Sequence, residues 1–134
     1  MADGDYTTLR FADLDNHLEQ RGGEFMMGRE ALRSPQIGVT WIRLPEGEST
    51  QGDKGHFHDH QDEVYVVASG GPVEFKVEEE TVELSAGEAI RIDAGAVHGL
   101  RNRGAEAVLI AASGQLPAGG DDSHPVEGFW PDSA

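Results

Sequence analysis

The chain has 134 residues, enough for one domain with a buried core, and 37% of them are hydrophobic. Its 25 acidic and 10 basic residues leave a formal net charge of −15, which repels nucleic acid and anionic membrane surfaces and argues against both as partners. There is no cysteine, so disulfides, thiolate ligands and a thiol nucleophile are excluded.

In chain order, the first residues, Met1-Ala2-Asp3-Gly4-Asp5, lack the basic and apolar regions of a secretory leader. No apolar run reaches the length of a membrane span, and a cytoplasmic location is expected. Residues 1–35 read as a lead-in. Phe11, Leu14 and Leu18 stand at i, i+3 and i+7, which predicts a short helix over 12–21 that stops at Gly22-Gly23. Met26, Met27 and Leu32 are expected to continue as added strands or a lid. Residues 36–112 read as a run of short strands, at 36–44, 63–68, 73–77, 81–84, 88–92, 97–102 and 106–112. Val73, Phe75 and Val77 alternate with Glu74 and Lys76, as in a half-buried strand. Gly70-Gly71 and Gly87 are placed as chain reversals. Many short strands at close spacing predict an all-β antiparallel barrel or jelly roll with a short N-terminal helix. Residues 113–134 form a C-terminal extension. It opens with a Gly/Asp-rich linker and ends in Phe129-Trp130, a pair too apolar to stay loose in water and expected to dock on the barrel or on a neighbouring subunit.

The chemistry is concentrated in two stretches. Gly55-His56-Phe57-His58-Asp59-His60-Gln61-Asp62-Glu63 places two imidazoles at i and i+2, on one face of a strand, with a carboxylate shortly after. A second register, His58 with His60 and Glu63, leaves only two residues for the return to Glu63 and is the weaker alternative. The other stretch ends in Gly95-Ala96-Val97-His98. Imidazole and carboxylate suit divalent transition metals, so His56, His58, Glu63 and His98 are the expected metal ligands.

These stretches resemble the two signature motifs of the cupin superfamily. The first appears as His56, His58, Glu63 and Gly70. The second appears as Gly87, Asp93-Ala94-Gly95, His98 and Asn102. Asp93 stands where the family pattern has Pro, and Thr50 where it has Gly. The resemblance spans residues 36–112 and implies a double-stranded β-helix, the jelly-roll barrel of the cupins. It implies one divalent ion (iron, manganese, nickel, copper or zinc) in the barrel, with two octahedral positions left for water, dioxygen or substrate. It also implies a small-molecule substrate or ligand and a homodimer, the latter supported by apolar surface expected on the lead-in and on Phe129-Trp130.

Two functional readings follow: a metal-dependent enzyme of dioxygenase, decarboxylase, isomerase, lyase or cyclase type, and a non-catalytic binder that anchors its ligand on the metal. A storage role is disfavoured by the retained ligands and the single barrel. Tyr65, in phase with Glu63, is read as a core aromatic or as an acid or hydrogen-bond donor near the metal. Arg43, Arg91, Arg101 and Arg103 are candidate anchors for a substrate carboxylate, although Arg101 is out of phase with His98 and Arg91 cannot face inward together with Ile90 and Ile92. Trp41 and Phe57 are expected in the core or pocket wall, Asp59 and Asp62 as solvated loop charges, and His17, His60 and His124 at the surface. Asn102 is expected to hold a turn.

Overall fold

A computed structural model describes residues 5–117 and 120–130. The expected acidic start at residues 1–4 and part of the expected linker, residues 118–119, lie outside the described residues. The strands are β1 (Glu24–Met27), β2 (Gly38–Leu44), β3 (Gly55–His58), β4 (Glu63–Val77), β5 (Glu80–Leu84), β6 (Ala89–Ile92), β7 (His98–Ser113) and β8 (Ser123–Val126). All pairings are antiparallel, in a sheet that runs β1-β2-β7-β3-β8, with β4 joining β7 to β5 and β6. The expected all-β antiparallel architecture is what the chain adopts. No helix among the described residues is long and apolar enough to cross a membrane.

Two strands of 15 and 16 residues, β4 and β7, form the frame and pair along their whole length. The expected reversal at Gly70-Gly71 is instead a bend within β4. Both glycines have positive φ (73° and 88°), and the ladder shifts register three times between Val67 and Val73. A side chain at Gly70 would overlap the carbonyl of Glu106, and one at Gly104 would overlap Gly71, so glycine is required where the two strands cross. The bulges also change which residues face inward. In β7 the buried side chains are His98, Leu100 and Asn102, then Ala107, Leu109 and Ala111. The switch from even to odd numbers lets both ends of one strand contribute to one interior.

Inside lie Ile42, Leu44, Tyr65, Val67, Val73, Phe75, Leu100 and Leu109. Asn102 is fully buried and structural, as expected. Its amide donates to Leu44 O (2.9 Å) and Ala105 O (2.7 Å), and its Oδ1 accepts from Gly104 N, closing the bulge. Ile92 is buried and Arg91 exposed, so the isoleucine face is the inner one. Trp41 departs from expectation. Thr40 lines the cavity and Ile42 is core, so Trp41 turns outward, stacks with Phe11 at 6.1 Å and donates to Glu24 Oε1. Phe57 likewise leaves the pocket and stacks on His124 at 4.9 Å.

The helix expected over 12–21 does not form. Two 3-10 turns, Phe11–Asp13 and Glu19–Arg21, stand in its place, and the short α-helix, α1, is Arg29–Leu32. Asn16 supplies the reason. Its Oδ1 accepts from the backbone N–H of Leu18 (2.9 Å) and Phe25 (3.0 Å), and its Nδ2 donates to Gly23 O. A side chain that competes for backbone groups in this way ties the segment to β1 instead of letting the helix propagate. The stop at Gly22 is real, with φ 75°.

The C-terminal extension is a working part of the sheet. β8 pairs with all four residues of β3. Phe129 and Trp130 dock on their own barrel. Lys76 Nζ lies 3.8 Å from the Phe129 ring centroid and donates to Phe129 O, and the Arg101 guanidinium lies 4.1 Å from the Trp130 ring. The expectation that this pair leaves apolar surface for a second subunit is therefore corrected: Phe129 is 9% and Trp130 3% exposed.

Candidate metal centre

His56 and His58 alternate with Phe57 on β3, so both imidazoles point into the barrel. Glu63 opens β4 and His98 opens β7. Because β4 and β7 curl round the same interior, their first residues meet there although each is paired with the far end of the other: Glu63 with Ser113, and His98 with Val77. His56 pairs directly with His98 across β3 and β7.

The three imidazoles converge on one oxygen. Glu63 Oε1 lies 2.8 Å from His98 Nε2, 3.2 Å from His58 Nε2 and 3.5 Å from His56 Nε2. Ligand atoms bound at right angles, about 2.1 Å from a common first-row ion, stand about 3 Å apart, so this spacing matches neighbouring ligands. His56, Glu63 and His98 offer ligand atoms all within 4.8 Å of one another, whereas His58 meets this group at Glu63 Oε1 and by the same measure groups with Asp121 and Asp122. His60, the alternative in the other register, is exposed and reaches the centre only through its backbone.

The proton inventory also fits a cation. His98 Nδ1 faces the carbonyl of Ala96 at 3.0 Å, an acceptor, so Nδ1 carries the hydrogen. A neutral ring then turns a lone pair from Nε2 onto Glu63 Oε1. His58 is placed the same way, with Nδ1 on Asp122 Oδ1 at 2.9 Å and Nε2 on Glu63. Each pair needs a positive charge between its atoms, which a divalent cation would supply. The donor set, three imidazoles and a carboxylate, fits such an ion.

Burial disfavours the Glu63 carboxylate, but hydrogen bonds from His56, His58 and His98 outweigh it and hold the group far below the usual carboxylate range. Burial likewise opposes the charged form of His58, but Glu63 and then Asp122 raise it to about 9. Asp122 is lowered to about 2, because the bonds from His58, Gln61 and the His60 backbone overcome its burial.

Tyr65 is buried and donates from its hydroxyl to Glu63 Oε2 at 3.3 Å. Burial, then the charge of Glu63, raises its phenol well above 10, so it stays protonated and orients the carboxylate. The centre opens on a cavity of about 950 Å³ whose wall includes His56, His58, Glu63, Tyr65 and Arg29. None of the four arginines proposed as anchors lines it. Arg43 pairs with Glu24 and Glu106, Arg91 with Asp93, and Arg101 and Arg103 with Glu74. Of the expected loop charges, Asp59 pairs with His124 and Asp62 accepts from Ala94 N. His17 is exposed at the cavity rim.

Sequence reasoning missed Arg29, Gln61 and Asp122. Arg29 Nη2 donates to Gln61 Oε1 and Ser113 Oγ, both at 3.0 Å, and Gln61 Nε2 donates to Asp122 Oδ1 at 2.7 Å. These partners are 32, 84 and 61 positions apart, and no local pattern marks them.

The comparisons agree with this architecture. The Cupin domain family matches residues 40–113, more than half of the chain. No curated protein sequence matches. Among solved structures, a protein of Acidithiobacillus ferrooxidans is similar with a TM-score of 0.59 and 20% identity, over 71% of this chain and 60% of its own length. The chain thus spans less than two thirds of that protein. A sugar phosphate isomerase from a cupin superfamily, from Silicibacter pomeroyi, aligns with a TM-score of 0.66 and 17% identity over 90% of this chain and 92% of that one. Streptomyces PAC13 with uridine aligns with a TM-score of 0.66 and 16% identity over 96% of this chain and 94% of that one. At these identities the structures speak for the fold alone. By the extent of the family match, this chain belongs to the cupin family.

Proposed function

We propose that this cupin is a metal-dependent enzyme acting on a small oxygen-containing molecule, with His56, His58, Glu63 and His98 as the ligands of one divalent transition-metal ion. The observation that carries the reading is the convergence of three imidazole nitrogens on Glu63 Oε1 at the wall of a cavity large enough for a metabolite. Such an ion, when bound, polarises a substrate oxygen, and iron, manganese, nickel or copper adds redox chemistry with dioxygen. Tyr65 fixes the Glu63 carboxylate. The structural neighbours described as a sugar phosphate isomerase and as a complex with uridine support a small, polar, oxygen-rich ligand.

A second reading, a non-catalytic binder, is favoured by Tyr65. Tyr65 is a buried hydrogen-bond donor to Glu63, not a group poised to exchange protons. The test is a turnover screen of the iron, manganese, nickel, copper and zinc forms on acids, phenols, sugar phosphates and nucleosides. Turnover that disappears with chelator and returns with one or two ions supports the enzyme. Metal-dependent ligand affinity with no turnover supports the binder. Turnover undiminished in metal-free protein contradicts both.

The homodimer belongs to the same proposal, on ground that differs from the expected one. Val64 and Val66 are 37% and 38% exposed on the outer face of β4, and Val66 stands beside Ile110 of β7. Dimerisation through this face predicts that Val64→Glu with Val66→Lys gives monomers in sedimentation. A wild-type mass of one 14.4 kDa chain would count against it.

A further inference from the structure

We propose that Asp122, carried on the C-terminal extension and backed by Gln61 and Arg29, is the positioning residue that fixes His58 as a metal ligand, so that the metal centre is completed by a strand outside the two motifs. This inference rests on the ligand set proposed above.

Three observations carry it. The first is the hydrogen-bond chain. His58 Nδ1 donates to Asp122 Oδ1 (2.9 Å), Gln61 Nε2 donates to the same oxygen (2.7 Å), and the His60 backbone N–H donates to Oδ2 (2.7 Å). Arg29 Nη2 then donates to Gln61 Oε1. The direction of every link is set, because a guanidinium only donates and an ionised carboxylate only accepts. Gln61 must therefore present its NH₂ to Asp122, and His58 must carry its hydrogen on Nδ1, leaving the Nε2 lone pair directed at the centre. The second is burial. Asp122 is 5% and Gln61 4% exposed, so water does not compete for these bonds. The third is strand support. β3 meets β7 at a single register pair, His56 with His98, but pairs with β8 along all four of its residues. Without β8, the strand that carries two imidazoles is almost an unpaired edge. The extension is fastened beyond β8 by Phe129, which fills the space left by the missing side chain of Gly55. A Cβ there would stand 2.6 Å from Phe129 Cδ2.

A carboxylate behind a ligating histidine orients the ring, selects its tautomer and raises its basicity, and losing one typically weakens metal binding by about 10–100-fold. A purely structural tie between tail and barrel would contribute to stability without touching metal affinity. The two are separable in the full-length protein by competition of Zn²⁺ and Mn²⁺ against a chromophoric chelator. Asp122→Asn is expected to weaken binding by about 10–100-fold, and Gln61→Ala by a smaller factor, at temperatures where both variants are fully folded. Glu127→Gln removes an equal charge from the same extension and serves as the charge control, with an expected change under about threefold, as for an exposed group. A wild-type protein that binds Zn²⁺ tightly and an Asp122→Asn variant within about twofold of it would overturn the positioning role and leave the ligand set standing. A wild-type protein that binds neither ion would remove both. Should Asp122→Asn fail to fold, ¹⁵N NMR of the Zn²⁺-loaded wild type decides. A hydrogen on His58 Nδ1 with Nε2 metal-bound is expected, and the opposite tautomer would refute the proposal.

Discussion

His98 and His58 face the same carboxylate oxygen but are held there by different means, one local and one remote. His98 is anchored by the carbonyl of Ala96, two residues away, in the turn that leads into β7. His58 is anchored by Asp122, 64 residues away, on a segment that follows the barrel. The local anchor comes with the second motif and is in place as soon as that turn forms. The remote anchor exists only when the whole chain has folded and the tail has docked. The contrast divides the proposed site into a part specified by the motifs and a part supplied by the segment that pairs with β3.

The largest expected effect comes from the locally held ligand. His98→Ala removes the most buried imidazole and should lower Zn²⁺ or Mn²⁺ affinity by at least about 100-fold, beyond the range of changes made behind a ligand. Far-UV circular dichroism should still report a β protein, because the aliphatic core does not depend on this residue. A variant that keeps wild-type affinity would break the comparison at its stronger end.

The remote anchor should respond to damage far from the metal. Phe129→Ala removes the ring that seats against Gly55 and under Lys76, and should cost about 3 kcal/mol of stability, as for large aromatic truncations. It should also weaken metal binding by about tenfold through β8. Equal affinity in a measurably destabilised Phe129→Ala protein would show that the tail does not reach the centre.

A smaller effect is expected from pH in the presence of chelator. The folded state raises His58 from 6.5 to about 9, so its contribution to stability is complete below pH 6.5 and is lost as pH rises through about 9. The folded state lowers Asp122 from 3.8 to about 2, so its contribution is present above pH 3.8 and is lost as pH falls through about 2. The metal-free protein should therefore melt highest between these limits and lose melting temperature steadily from pH 6.5 to 9. Asp122→Asn should flatten the alkaline decline, because one of the two groups that raise His58 is gone. A wild-type profile already flat across that range would show that the Asp122–His58 pair does not contribute.

What the sequence made legible divides along the same line. The barrel was readable because Val73, Phe75 and Val77 alternate and glycines punctuate the strands, and the four candidate ligands because period two and the motif spacing fix them locally. Phe129-Trp130 could be assigned to a docked tail from their apolar character alone. Asp122 could not be found, since Gly120-Asp121-Asp122 has the composition of a linker and its partners are long-range. The 12–21 helix failed for a related reason: the apolar spacing of Phe11, Leu14 and Leu18 was real, but the Asn16 side chain bonds to Leu18, Gly23 and Phe25 and redirects the backbone. Gly70-Gly71 looked like a reversal because positive φ is shared by turns and bulges, and only the register with Ala105 separates them.

The most direct test of the central claim is the stoichiometry of metal bound by the untagged protein, measured by elemental analysis after equilibrium dialysis, beside Glu63→Ala. The account predicts one divalent transition-metal ion per wild-type chain and none retained by Glu63→Ala, because Glu63 Oε1 is the atom on which all three imidazoles converge. A wild-type chain that retains no ion, or a Glu63→Ala chain that retains one as tightly as wild type, would contradict it.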